Sequence, residues 1–451
     1  MNAEKWKQTV MFVCFSVLVV VMGMAIIRLG TAKVLIKHFH QNNAVTQMIF
    51  QDDPNLFVRD KGRKSEAKIN WGKEYPFTNV NTEHTSMISR AFKKFNTVKS
   101  PLATHADTIS KYIWPYWTLV ESGRRYEKFI GWQIVNPAQQ VAKLADGNLT
   151  FIYPRQSQQE RIESMGTLAD FATEHGAKLL FVQAPGKVDA FGDKDINGKL
   201  DFSNQNTDEL LTGLRQHGID VFDLREALHE VAPTSAAYHS LFYRTDHHWR
   251  PQTALLAANL LTSTLQSAGI PIEQANYNLA KYHVEPKPKF FLGSQGKKVT
   301  LAKAVPDDFD VVTPNFPVKL DVKIPSCRID TVGGFDLLLE PRQIEFVDYY
   351  NLNPYAFYGH GDVPLMRIEN LNQPQTEKKI LIIHDSFGDT FIPYLSLGCR
   401  QIVALDVRHF TGSVETFIRE EKPSLILVMY TTSTTNKKID WKKHDDKFDF
   451  R

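Results

Sequence analysis

From Leu149 onward the chain alternates apolar runs of strand length with segments whose apolar residues recur at helical spacing, and this rhythm constrains the fold more than any other feature. Ser157 to Glu174 carries Ile162, Met165, Leu168, Ala169 and Phe171 on a helical period and leads into the apolar run Ala177-Lys178-Leu179-Leu180-Phe181-Val182-Gln183-Ala184-Pro185. The alternation continues with Asp208 to Gln216 as helix and Ile219 to Phe222 as strand. Pro251 to Ser267 reads as a long helix with proline in its first turn. Further strands are expected at Lys379 to Ile383, Gln401 to Leu405 and Ser424 to Met429, with Gly412 to Glu421 as the helix between the last two. Runs of Val, Ile and Leu are strands buried on both sides, so the expected class is α/β, a mainly parallel sheet with helices on both faces.

Between Leu279 and Glu369 the rhythm changes to short alternating runs rich in proline, such as Phe309 to Pro314 and Val318 to Ile324, which predicts a β-rich insertion or cap. No repeat of 20 to 50 residues interrupts the chain. At the N-terminus, Val10 to Ile27 is apolar apart from Ser16 and Gly23, about the length that spans a bilayer as a helix. No small-residue cleavage site follows it, so residues 1–29 are expected to be an uncleaved transmembrane signal-anchor. Residues 30–147 read as a partly helical stalk, with aromatic clusters at Ile69 to Phe77 and Tyr112 to Trp117, residues 148–435 as the main domain and 436–451 as a C-terminal tail.

Composition narrows the function classes. A net charge of +3 on 53 basic and 50 acidic residues has no basic excess for nucleic acid, and none is expected as a partner. The three cysteines, Cys14, Cys327 and Cys399, have no metal-binding spacing; Cys327 and Cys399 read as separate buried thiols, with one bridge as the alternative.

The chemistry-bearing stretch is Phe242-Tyr243-Arg244-Thr245-Asp246-His247-His248-Trp249. If it is extended, Asp246 and His248 share a face, as an orienting carboxylate and a general base would, while His247 faces away. A nucleophile for them comes after the strand Lys379 to Ile383, where Ser386 occupies the turn Asp385-Ser386-Phe387-Gly388. Catalytic groups of open parallel sheets sit beyond the carboxyl ends of the strands, which is where Ser386 falls. The competing reading of Ser386 is a helix cap. The amides of Ser386 and of a following residue such as Gly388 are candidates for an oxyanion site, although the glycines of the G-x-S-x-G elbow are missing apart from Gly388. Arg408 and Lys187 near strand ends, and the loop Gly293-Ser294-Gln295-Gly296-Lys297, are candidate substrate-binding groups. For Arg408 the alternative is an ion pair with Asp406. Asp246, His247, His248, His384, Asp385 and Asp389 are metal-ligand types, but no familiar ligand spacing connects them and no metal is expected.

Taken together, Tyr243 to Trp249 and His384 to Gly388 resemble the bacterial DHHW family, related to the alginate O-acetyltransferase proteins AlgX and AlgJ. Similar stretches at Gln183 to Lys187, Phe291 to Lys297 and Leu405 to Arg408 extend the resemblance over roughly residues 148 to 435. It implies an SGNH-hydrolase-like domain with Asp246 and His248 preceding Ser386, in an order reversed from ordinary SGNH enzymes. It further implies acetyl transfer to hydroxyls of a cell-surface or exported polysaccharide, outside the membrane, with no cofactor of its own and acetyl groups delivered by a membrane-bound O-acyltransferase. The Gly and Asn that ordinary SGNH enzymes use for the oxyanion have no counterpart here, and Met429 to Thr434 lacks the charged ending of relatives. A carbohydrate acetylesterase of the same fold and a non-catalytic glycan-binding component of an export complex are the alternatives.

Overall fold

A computed structural model of the chain describes residues 141–144, 146–194, 196–436 and 447–450, which lie in one unit, Arg124–Arg451. The expected anchor, both aromatic clusters of the stalk and most of the stalk and tail lie outside the described residues. Among the described residues no helix is long and apolar enough to cross a membrane.

In chain order, β1 (Val141–Lys143) and β2 (Leu149–Phe151) form an antiparallel hairpin. Helix α1 (Gln159–Glu174), β3 (Lys178–Ala184), α2 (Ser203–Gln216), β4 (Asp220–Asp223), α3 (Leu224–Val231), α4 (Ser235–Ser240) and α5 (Pro251–Ser267) follow. An antiparallel ribbon of β5 (Tyr282–Phe291) and β6 (Asp307–Pro314) encloses α6 (Ser294–Val299). After β7 (Leu320–Ile324), β8 (Ile329–Gly333) and β9 (Leu365–Asn370) come β10 (Lys379–His384), α7 (Gly388–Leu395), β11 (Gln401–Asp406), α8 (Val414–Glu421), β12 (Leu425–Thr431) and α9 (Thr432–Thr435).

The main sheet has the order β4-β3-β12-β10-β11-β9-β7-β8. Its first five strands are parallel, and β9, β7 and β8 extend it antiparallel. The insertion is therefore not a separate cap throughout: β7 to β9 lengthen the sheet, and β5 and β6 stand apart as a ribbon. Proline-rich alternation marks half-buried strands correctly but does not say which sheet they join.

Side chains alternate across the parallel strands, as period two requires. Ile380 and Ile382 of β10 meet Leu255, Ala258 and Leu261 of α5 on one face. Leu381 and Ile383 meet the other core, built from Met165 and Leu168 of α1, Leu210 and Leu214 of α2, and Phe417 and Ile418 of α8. Each such buried side chain contributes about 1.5–3 kcal/mol. Phe448 and Phe450 join this second core, so the end of the tail belongs to the domain rather than hanging from it. Cys399 is buried, but Cys327 is exposed, and both are free thiols.

β10 runs to β11 on one side of itself, whereas β12 lies on its other side. The carboxyl ends of β10 and β12 thus flank a topological switch point, where sheets of this kind open a crevice.

Candidate active site

β10 ends at His384 and the chain turns through Asp385, Ser386 and Phe387 before α7 starts at Gly388. Asp385 builds this turn. Its Oδ1 accepts the Phe387 amide at 3.0 Å, and its Oδ2 accepts the Thr431 amide, the Thr431 hydroxyl and the Thr434 hydroxyl at 2.8, 2.8 and 2.6 Å. The end of β10 is thereby tied to the end of β12, and Ser386 is left half-buried at the crevice. The Ser386 amide has no hydrogen-bond partner among the described residues, whereas the Gly388 amide donates to Asp385 O at 2.8 Å. Gly388 is thus withdrawn as an oxyanion donor because its N–H is already used.

The segment holding Asp246 and His248 is not extended. Phe242 and Trp249 pair across a bridge, and the chain between them bends through Arg244 to His248. Asp307, more than sixty positions away in sequence, imposes the bend. Its carboxylate accepts the Arg244 and Thr245 amides at 2.7 and 2.8 Å and the Thr245 hydroxyl at 2.5 Å. Burial pushes the Asp307 carboxyl up from its ordinary range, against the pull of those donors.

Bending brings Asp246 and His248 together more closely than alternation would. Asp246 Oδ1 lies 3.0 Å from the His248 amide nitrogen and 2.5 Å from its Nδ1, while Oδ2 accepts the Ser294 amide at 2.5 Å. Burial opposes ionisation of Asp246, but His248, His247 and these hydrogen bonds outweigh it and hold the carboxyl well below the usual range. His248 Nε2 lies 2.7 Å from Ser386 Oγ. The structure thus brings Asp246, His248 and Ser386 into one hydrogen-bonded line, a carboxylate, an imidazole and a hydroxyl in sequence.

His247 departs from expectation. Its ring lies 3.8 Å from that of His248, and its Nδ1 is 2.9 Å from Ser294 Oγ and 3.5 Å from Asp246 Oδ1, so the bend turns both imidazoles to the same side. The opposite face of His248 is stacked on Tyr355 at 3.8 Å and 12°, which leaves the imidazole little freedom. Tyr355 and Asp307 carried no sequence signal, being distant in the chain and of common type. The glycine loop 293–297 did carry one: a Cβ on Gly293 would fall 2.1 Å from Asp246 Cβ, so only glycine lets the Ser294 amide reach the carboxylate.

Asp246, His247 and His248 bring potential ligand atoms within 4.8 Å of one another, as do His384, Asp389 and Asp406 behind the turn. In the first group both nitrogens of His248 are engaged by Asp246 and Ser386. In the second, Arg408 already supplies the positive charge. Its guanidinium lies 2.5 Å from both Asp406 and Asp362, and burial, which opposes its charge, is overcome by these carboxylates. Arg408 is therefore an ion-pair residue, and its fork is not free for a substrate carboxylate. Lys187 is also committed: Nζ donates to Leu149 O at 2.6 Å, Arg244 O at 3.3 Å and Gln295 Oε1 at 3.2 Å. Its burial lowers the ammonium pKa to about 7, although Asp307, Asp246 and Asp146 pull the other way.

Above the carboxyl ends of β10, β12 and β3 lies a small open pocket, with Phe387, His247, Phe151 and Tyr153 among its walls. Lys187, Gln295, Thr432 and Ser433 supply polar groups around it.

Residues 150–296 match the family model of the SGNH hydrolase-like domain of acetyltransferase AlgX. The matched segment contains Asp246, His248 and Gln295 and stops before Ser386. Among solved structures, Bacillus cereus PatB1 aligns at 20% identity with a TM-score of 0.55, covering 69% of this chain and 99% of that one. PatB1 with a sulfonyl adduct aligns at 19% with the same score, covering 69% and 98%. A DHHW family protein from Eubacterium siraeum aligns at 19% over 66% of this chain and 92% of that one, with a TM-score of 0.49. No curated protein matches the chain in sequence. The match over 150–296 is to the same group that the two sequence motifs resemble, and the PatB1 alignments agree with the α/β fold.

Proposed function

We propose that this chain, which carries an SGNH hydrolase-like segment of the AlgX type, is a membrane-anchored extracytoplasmic O-acetyltransferase of cell-surface or exported polysaccharide. In this reading Ser386 is the nucleophile, His248 its base and Asp246 the orienting carboxylate. The observation that carries it is the unbroken line from Asp246 Oδ1 to His248 Nδ1, 2.5 Å, and from His248 Nε2 to Ser386 Oγ, 2.7 Å. The apolar stretch Val10 to Ile27 supports the anchor.

Ser386 Oγ attacks the carbonyl carbon of a donor acetyl ester or thioester while His248 Nε2 takes the hydroxyl proton. Negative charge gathers on the former carbonyl oxygen, for which the unpaired Ser386 amide is the available donor. Collapse expels the donor's alcohol or thiol, which leaves with the proton from His248, and the acetyl group remains as an ester on Ser386. A sugar hydroxyl then gives its proton to His248, attacks that ester and restores Ser386. Asp246 stays ionised throughout, because its surroundings hold its carboxyl low, and so it stabilises the imidazolium formed twice per cycle. The cycle calls for no cofactor on this chain; the donor is the product of a membrane-bound O-acyltransferase. Water in place of the sugar would make the same groups an acetylesterase.

The test uses the purified full-length chain with a sulfonyl fluoride, which labels activated serines, and with p-nitrophenyl acetate. Ser386 should be labelled, and Ser386→Ala and His248→Ala should each lower ester turnover by several powers of ten. Equal turnover in Ser386→Ala would sink the assignment.

A further inference from the structure

His248 is held along a line and across a plane, and different parts of the chain do the two jobs. Asp246 grips Nδ1 at 2.5 Å and Ser386 grips Nε2 at 2.7 Å. Two bonds at opposite ends of a ring fix the line through it but leave the ring free to roll about that line. Neighbouring faces stop the roll. His247 lies over one face at 3.8 Å and 36°, and Tyr355 lies flat on the other at 3.8 Å and 12°. Tyr355 is buried and belongs to the short helical turn Pro354–Phe357 of the insertion.

The ring of Tyr355, rather than its hydroxyl, is what the site engages. The hydroxyl is buried and has no hydrogen-bond partner among the described residues; Trp249 and Thr390 approach it without forming a bond. The backbone that carries the ring is tied to the same short helix that holds the orienting carboxylate. Lys297 of α6 donates Nζ to Leu352 O at 2.9 Å, three residues before Tyr355, while the Ser294 amide at the start of α6 reaches Asp246 Oδ2. One element thus sets both the carboxylate at the end of the imidazole and the phenol against its face.

A phenol face is electron-rich and attracts a cation held against it, more strongly where water is excluded. His248 is buried, and in the proposed cycle it is cationic only after taking a proton from a hydroxyl. The attraction therefore favours the charged states of the cycle over the resting one, which is the condition for an interaction to speed a reaction. The other titratable groups around His248 are Asp246 and His247 of its own loop, with Lys187 and Lys297 acting on Asp246 from the loop after β3 and from α6. From α7, Asp389 acts on Tyr355. All of them stay in place when Tyr355 alone is replaced.

The geometry points to Tyr355 as a positioning residue, whose ring fixes the plane of the His248 imidazole and stabilises the imidazolium that forms against it. The inference rests on the proposed role of His248 as the base of Ser386, and its test separates the two.

The experiment follows the rate of sulfonyl labelling of Ser386 against pH in the full-length chain, in Tyr355→Phe and in Tyr355→Leu, with folding checked by circular dichroism. Labelling needs the neutral imidazole, so the rate climbs with pH to a plateau. Tyr355→Phe keeps the face and should keep the profile of the unaltered chain. Tyr355→Leu should lower the plateau about tenfold. Because the imidazolium loses its support, labelling should also reach half its plateau about one pH unit lower. Should Tyr355→Leu not fold, pentafluorophenylalanine in place of Tyr355 keeps a ring of similar size and reverses the charge of its face, with the same downward shift expected. A half-plateau pH that stays put in the folded variant, whether or not the rate falls, would reduce Tyr355 to packing and overturn the inference. So would a Tyr355→Phe profile displaced like that of Tyr355→Leu, since it would place the effect on the hydroxyl. A labelled Ser386 whose profile is indifferent to residue 355 removes only this inference, whereas an unlabelled Ser386 in the unaltered chain removes the proposed function and the inference with it.

Discussion

Lys187 is a cation in a place that disfavours charge. Its side chain is 3% exposed, and it serves as a strut between Leu149, Arg244 and Gln295 beneath the loop of Asp246 and His248. Burial lowers its pKa from 10.5 to about 7. Between those two values the unfolded chain holds the proton that the folded chain has lost, so the unfolded state binds more protons and stability must rise with pH across that window. Replacing the side chain by one of similar length without a charge removes the contribution. The urea stability of the unaltered chain, minus that of Lys187→Met, is therefore expected to climb from about pH 7 to about pH 10.5, with a slope approaching 1.4 kcal/mol per pH unit. Parallel curves for the two proteins across this range would show that Lys187 keeps an ordinary pKa and is not the buried strut described.

Among the elements, the turn between β10 and α7 sets the position of Ser386, and its tightest constraint is Gly388. A Cβ there would fall 2.3 Å from His384 Nδ1, on a buried ring that is itself held by Asp385 O at 2.8 Å. Gly388→Ala should cost about 1–3 kcal/mol through overpacking. Because a shift of roughly 1 Å costs catalysis about a hundredfold, labelling of Ser386 by the sulfonyl reagent should slow by a similar order. His384→Ala added to Gly388→Ala should recover part of both losses, and wild-type labelling in Gly388→Ala alone would refute the close-packing account. The sequence showed Gly388 as a turn residue, but the reason lies in a ring four positions back on the preceding strand. The same split between pattern and cause recurs elsewhere. β10 and α5 were legible because Ile380 to Ile383 and the proline-led run from Pro251 are decided locally. A helix after Ser386 was expected from the turn, but the extent of α7 was not legible, since all eight of its residues are buried, leaving no polar face to betray a helical period, and Pro393 lies inside it. Asp246, His248 and Ser386 stood out as chemical types, but the bend that joins the first two depends on Asp307, more than sixty positions further along the chain. Contacts of that range leave no period in the chain.

For the molecule as a whole, the two faces of the sheet are closed in different ways. One face is covered by α5, α7 and the elements of the insertion, and the other by α1, α2 and α8 with the end of the tail. Phe448 and Phe450, 2% and 5% exposed, fill that second face, and Tyr430 of β12 donates its hydroxyl to Lys447 O at 2.6 Å. Glu415 at the start of α8 donates its amide to Phe450 O at 3.2 Å, so the tail bridges a strand and a helix that already share a core. Tyr430 directly precedes Thr431, which holds Asp385 and through it the Ser386 turn. The tail is thus a lid on the core three residues' reach from the site, yet none of its atoms belongs to the hydrogen-bonded line of Asp246, His248 and Ser386. Its removal should therefore act on stability before chemistry. Phe448→Ala is expected to cost about 3–5 kcal/mol, as emptying a fully buried phenylalanine site does, and deletion of residues 447–451 should cost at least as much. Both would be read as a lower midpoint of thermal unfolding. Sulfonyl labelling of Ser386, measured well below each variant's midpoint, should keep its rate. An unchanged midpoint would mean that the tail only rests on the surface, and slowed labelling in a fully folded variant would mean that β12 passes the loss on to the turn.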